Sequence, residues 1–259
     1  MRIALGIEYN GSEFYGWQAQ ETLPTIQGCL EKALSKIADE PCTLFCAGRT
    51  DAGVHATGQV IHFETKANRP MRAWMMGTNS YLPPSISVRW VQIVNENFHA
   101  RYSALSRCYR YIICNTGTRP ALLHNKVTWR YEELNVATMQ QASQYLIGEL
   151  DFSSFRSSQC ESKSPMRNVH RIIINRYNDF VIIEIEANAF LHHMVRNIAG
   201  VLMRVGAGFQ EPEWVLEVLQ AKDRRKAAET APASGLYLYA VKYPSIFLLP
   251  SEESFPLFL

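Results

Sequence analysis

The chain has 259 residues, 47% hydrophobic and 19% charged, which excludes disorder, collagen-like repeats and a coiled coil as the main architecture. The formal charge is only +2, and no run of eighteen apolar residues offers a membrane-spanning helix. One large domain or two smaller ones are expected at this length. The start meets a charge at Arg2 and alternates like a strand over residues 3–9, so no export signal is expected and the protein is assigned to the cytoplasm. A loop with Gly11, Gly16 and Pro24 leads into a helix over residues 25–38, where Ile26, Leu30, Leu34 and Ile37 recur at helical spacing and Pro41 stops it. Short strands follow at 42–47 and 59–63 around a glycine-containing loop. A helix over 71–81 ends before Pro83-Pro84, and 88–94 alternates as another strand.

The second half repeats this order. Residues 108–114 alternate as a strand, and 136–147 form an amphipathic helix. A hairpin over 171–176 and 180–187 turns at Tyr177-Asn178-Asp179. Helices at 192–205 and 212–221 precede a last strand at 236–241. Two β-α-β-β-α-β runs predict an α+β protein of two ferredoxin-like domains with antiparallel sheets, residues 1–103 and 104–259. The tail, 245–259, covers a core edge or extends an interface.

Charge and motifs narrow the function. Between Thr65 and Tyr131 lie ten basic residues and one acid, Glu96, and arginine outnumbers lysine 18 to 8. A solvated surface and a phosphate-binding face both account for such a cluster, and arginine's planar fork suits phosphate. The six cysteines show no Cys-x-x-Cys, and a chain this long buries a core without staples, so reduced core cysteines and no structural zinc are expected. Gly-x-Gly-x-x-Gly, the P-loop pattern, His-Glu-x-x-His and Gly-x-Ser-x-Gly are all missing, so no metal and no cofactor is expected. His192-His193, placed on a helix, would point about 100° apart, poor geometry for one ion.

The segment Gly48-Arg49-Thr50-Asp51-Ala52-Gly53-Val54-His55-Ala56 carries the chemistry. Gly48 and Gly53 supply left-handed backbone, and Arg49 and Asp51, two apart, share one side of an extended chain. A carboxylate that must stay ionised in a dry pocket needs a guanidinium beside it.

This segment resembles the signature of the TruA-type tRNA pseudouridine synthases. Tyr15-Gly16-Trp17-Gln18 with Gln20 and Thr25-Ile26-Gln27, Phe98-His99-Ala100-Arg101, and Arg107-Cys108-Tyr109-Arg110-Tyr111 are similar to the same family's earlier blocks. Asp151-Phe152 with Ser154-Phe155, Arg167-Asn168-Val169, Asn188 to Asn197 and Gly235-Leu236-Tyr237-Leu238 are similar to its later ones. The resemblance implies the pseudouridine synthase fold around a basic cleft. It also implies isomerisation of uridine to pseudouridine at positions 38, 39 and 40 of the tRNA anticodon stem-loop, by a homodimer that holds one tRNA.

Carried over residue by residue, it makes Asp51 the essential nucleophile and Arg49 the side chain that fills the space of the flipped uridine. It makes Tyr109 the ring against the base and Arg196 the ionic partner of Asp51. Leu236 and Tyr237 wall the pocket, and Arg101, Arg107 and Arg110 bind the RNA backbone. Two other readings stand beside it: a catalytically silent RNA-binding module of the same fold, and a hydrolase using Asp51 and His55 as an acid–base pair.

Overall fold

The computed structural model describes residues 1–250. The chain forms two compact units, one of residues 1–107 with 237–259 and one of residues 108–236.

The first unit begins with strand β1 (Arg2–Tyr9) and helix α1 (Ile26–Ala38). Thr25 caps α1 by accepting the Gly28 N–H at Oγ1, and Asp39 ends it in a left-handed conformation. Strand β2 is only Phe45–Cys46, shorter than the predicted 42–47. The reason is local: Cys42 N–H donates to Ser35 Oγ and Leu44 N–H to Glu31 Oε1, so side chains of α1 take the amides a longer strand would use.

Strand β3 (His55–Glu64) lies antiparallel to β1, which also pairs antiparallel with β4 (Ile86–Val94). Leu5 thereby sits between Ile61 and Val91 in register. The helix expected at 71–81 is wound as a wide π turn over Ala73–Gly77 and then as α2 (Thr78–Tyr81). The turn buries Trp74, and Gly77 leaves room for the Ile37 Cδ1 of α1.

The second unit holds β5 (Ser106–Asn115) and β6 (Thr128–Arg130), then α3 (Val136–Ser143) and β7 (Gly148–Asp151). Strands β8 (Met166–Tyr177) and β9 (Phe180–Ala187) and helices α4 (Met194–Gly206) and α5 (Trp214–Ala221) complete it. Its sheet runs β5-β9-β8-β7, with β6 parallel to the outer side of β5. Helix α4 is buried almost throughout, and Gly206 lets it close on Met139 of α3.

The two short strands β6 and β7 were not expected, and neither was the path of the last strand, β10 (Leu236–Lys242). From Tyr237 on, β10 belongs to the first unit and pairs parallel with β3, Tyr237 opposite His55. Gly58 permits the approach, since a Cβ there would lie 2.0 Å from the Tyr239 carbonyl oxygen. All six cysteines are free, and Cys42, Cys108 and Cys114 are buried. Among the described residues no helix is long and apolar enough to cross a membrane.

Ala4, Val60, Val94, Phe98 and Ala100 form one core cluster of the first unit, and Phe247 and Leu249 of the tail pack against it. The rest of the tail, 251–259, lies outside the described residues.

His62 of β3 is buried beside this cluster and accepts the Ala100 N–H at Nδ1. Burial first, then the neighbouring His99 and Arg2, lower its pKa to about 4, against a smaller opposing pull from Glu64. The unfolded chain therefore takes up this proton before the folded one does. Stability should fall as pH drops from about 6.5 towards 4, by about 2–3 kcal/mol from this group. Denaturant melts of the native chain and of His62→Gln across that range check it: the variant, which keeps an acceptor but cannot titrate, should lose much of the slope.

Candidate active site

The backbone of the loop between β2 and β3 is held from several directions within the first unit. Gln59, buried in β3, donates from Nε2 to the Gly48 carbonyl at 2.7 Å and accepts the Gly48 N–H at 3.4 Å. Tyr9, at the end of β1, shares a 2.8 Å hydroxyl hydrogen bond with Thr50. Trp17 N–H donates to the Thr50 carbonyl at 2.9 Å, Gly53 N–H to the Phe14 carbonyl at 3.3 Å, and Val54 N–H to the Asp51 carbonyl at 3.1 Å.

Gly53 takes φ of 77°, which a residue with a Cβ seldom tolerates, whereas Gly48 does not adopt positive φ. Left-handed backbone is thus needed at one of the two glycines only. Thr50 is buried, so the alternation of an extended segment turns its neighbours the other way: Arg49 is exposed and Asp51 half-buried.

His55, the acid–base partner in the hydrolase reading, is committed elsewhere. Its buried ring accepts the Gly11 N–H at Nδ1 (3.0 Å) and stacks on Tyr237 with centroids 4.6 Å apart. A ring fixed this way serves as a bolt between β3, β10 and the segment after β1.

Electrostatics bring two of the predicted arginines together. Burial pushes the Cys46 thiol up to about 11, and the charges of Arg49 and Arg101 both act on that sulfur in the opposite direction. Arg101 is exposed and remains available to an anion. Arg107 is spent inside the fold: Nε and Nη2 donate to the Ala47 carbonyl at 3.2 and 3.1 Å, Nη1 to the Ala104 carbonyl at 3.3 Å, and Nη2 also to that of Arg101. These bonds tie the start of the Asp51 loop to residues 101–104.

Arg110 is likewise engaged within the second unit. It is buried, and its Nε and Nη2 both lie 2.8 Å from Glu184 Oε2. Arg171 bridges Glu184 and Glu186, so β5, β8 and β9 share one neutralised network. Cys108 sits in this field, its thiol pushed up to about 12 by burial and then by Glu184 and Glu186. A guanidinium already buried against a carboxylate would have to break that pair before meeting phosphate.

Tyr109 is buried with its ring edge-on to Phe190 at 5.0 Å. Arg196, in the first turn of α4, donates from Nε to the Ala231 carbonyl at 2.8 Å, while Ala231 N–H returns a bond to the Arg196 carbonyl at 3.2 Å. Leu236 is buried at the start of β10. His192 and His193 precede α4 rather than lie on it. Their rings are 4.0 Å apart, with His193 in a left-handed turn, so the 100° separation expected of helical neighbours does not apply.

Residues 6–103 and 142–244 match the family model described as tRNA pseudouridine synthase. The chain belongs to the tRNA pseudouridine synthase family. A protein named tRNA pseudouridine synthase A from Photorhabdus laumondii is 60% identical over 259 residues, covering 100% of this chain and 98% of that protein. Its namesake from Legionella pneumophila strain Lens is 57% identical, with 100% and 99% covered. A crystal structure of a Cbf5-Nop10-Gar1 complex aligns at TM-score 0.37 and 12% identity, over 78% of this chain and 45% of that one.

As a member of this family of tRNA-modifying isomerases, the chain also carries residues that hold these elements in place. Tyr9, Gln59 and Thr50 hold the loop, and Asn197 holds α4. Asn197 is fully buried, donates to the Phe155 carbonyl at 2.8 Å and accepts from Thr230 and Arg224 at 2.7 and 3.1 Å.

Proposed function

We propose that this chain converts uridine to pseudouridine at positions 38, 39 and 40 of the tRNA anticodon stem-loop, with Asp51 as its nucleophile. The observation that supports it is the loop itself. Its backbone is bolted by Gln59, Tyr9 and Trp17, so Asp51 and Arg49 are offered from a rigid support inside a chain that the family model matches.

The N1–C1′ glycosidic bond of the target breaks, the uracil turns, and C5 joins C1′. The hydrogen leaves C5, and a proton ends on N1. Atoms and oxidation state are conserved overall, so the step itself calls for no redox cofactor. Asp51 supplies the carboxylate that takes part in the bond exchange. Arg49, exposed beside it, occupies the stack left by the everted nucleotide and lowers the cost of extrusion, about a few kcal/mol. Arg101 meets phosphate, and Tyr109, Arg196 and Leu236 keep the substrate-side roles that the resemblance implies. The protein works as a cytoplasmic homodimer on one tRNA.

Incubation with tRNA tritiated at uracil C5 tests the reading. The protein should release label to water without shortening the RNA. Binding without release would favour the silent RNA-binding module, and cleaved RNA the hydrolase.

A further inference from the structure

Beside the Asp51 loop, the first unit exposes a set of aromatic rings that the isomerisation does not use. Phe45 of β2 is 46% exposed and stacks on His62 with centroids 5.0 Å apart and planes at 22°. His99 packs on both, 5.3 Å from Phe45 and 4.5 Å from His62. Tyr102 closes the series, 4.4 Å from His99 and 76% exposed.

The series is rigid at its base and open at its rim. Ala100 N–H fixes His62, while the Arg101 and Tyr102 N–H groups both donate to His99 Nδ1, at 3.1 and 3.3 Å. Ser103 Oγ accepts the His99 N–H at 3.0 Å, which closes the 99–103 turn on itself. Large rings held out to water in this way are costly unless something covers them.

The charge around them states what that is. Arg101 lies over the Tyr102 ring at 5.6 Å, and Arg101 and Arg49 both act on Cys46, the residue next to Phe45. Flat rings interleaved with guanidinium groups suit an unpaired nucleotide, whose base stacks while its phosphate meets the charge. A helical RNA backbone offers no exposed base face to such a surface.

We propose that Phe45, His99 and Tyr102, with Arg101, form a stacking platform for an unpaired nucleotide of the RNA substrate. The target uridine goes to Asp51, and this platform takes a different nucleotide of the same strand. The inference rests on the tRNA reading above and adds a second contact to it.

Filter binding of unmodified tRNA at several salt concentrations, with tritium release run in parallel, tests it. Phe45→Ala and Tyr102→Ala should each weaken the Kd about tenfold and raise KM alike, with kcat nearly kept, because the platform positions RNA and does not touch the reacting atoms. Tyr102→Phe should restore binding, since it keeps the ring. The salt slope should stay unchanged in these variants and drop by about one in Arg101→Ala.

Unchanged Kd in both alanine variants overturns the platform. So does loss of a dimer by sedimentation at unchanged affinity, which would make the rings a contact between copies of the chain. The Kd readings judge the platform whether or not the isomerase is active, and label release by the unmodified protein judges the underlying reading separately.

Discussion

Replacing Asp51 by alanine is expected to abolish label release, by at least about four orders of magnitude in single-turnover rate, while tRNA binding stays within about threefold. The backbone of the loop has anchors besides this side chain. Its fixed points are the backbone groups of Gly48, Thr50, Gly53 and Val54, held by Gln59, Trp17 and Phe14, together with the hydroxyl pair of Thr50 and Tyr9. The Val54 N–H donates to the carbonyl oxygen of residue 51, which alanine retains.

A group that forms a bond in the reaction has no substitute when it is deleted, whereas a positioning group usually costs one or two orders. Comparison with Asp51→Asn separates charge from shape: the amide keeps the volume, and it should be as inactive as alanine. Turnover within tenfold of the native chain in either variant would remove Asp51 from the mechanism. The binding arm, read on the same preparations, shows that the variants still present an RNA surface.

The sequence made visible whatever is set by local periodicity, and concealed what is set by pairing across long separations. Helix α1 and the β8–β9 hairpin followed from apolar spacing and from the turn at Tyr177-Asn178-Asp179. Strands β6 and β7, three and four residues long, have too few positions to show an alternation. The path of β10 was hidden for another reason. An apolar strand carries no mark of which strand it will pair with, and Gly58 clears the way for the Tyr239 backbone beside β3.

At the site the division is similar. Arg49-Thr50-Asp51 stood out by its motif. The intramolecular partners of Arg107 and Arg110 were not legible, because a basic residue in a basic run carries no mark of what it will meet. Their partners lie far off in the chain: the Ala47 carbonyl for one, Glu184 for the other.

Gly11→Ala is expected to destabilise the protein by about 2–4 kcal/mol and to cut turnover about a hundredfold, more than it weakens tRNA binding. A Cβ on Gly11 would stand 2.0 Å from the Val54 carbonyl oxygen and 2.7 Å from its carbon, and both are backbone atoms that cannot rotate aside. Relief requires the segment after β1 to part from the loop before β3. Three bonds cross that gap: Gly11 N–H to His55 Nδ1, Gly53 N–H to the Phe14 carbonyl and Trp17 N–H to the Thr50 carbonyl. All would lengthen together, and Asp51 would shift with the backbone that carries it.

Arg101 and the aromatic rim belong to other parts of the unit, so affinity for tRNA should change less than rate. Gly117→Ala is the control, because a Cβ there meets nothing within 4 Å, and its stability should stay within about 0.5 kcal/mol of the native chain. Thermal melts and label release on the pair decide the matter. If Gly11→Ala melts and turns over like Gly117→Ala, the close approach of these two backbones does not hold the loop.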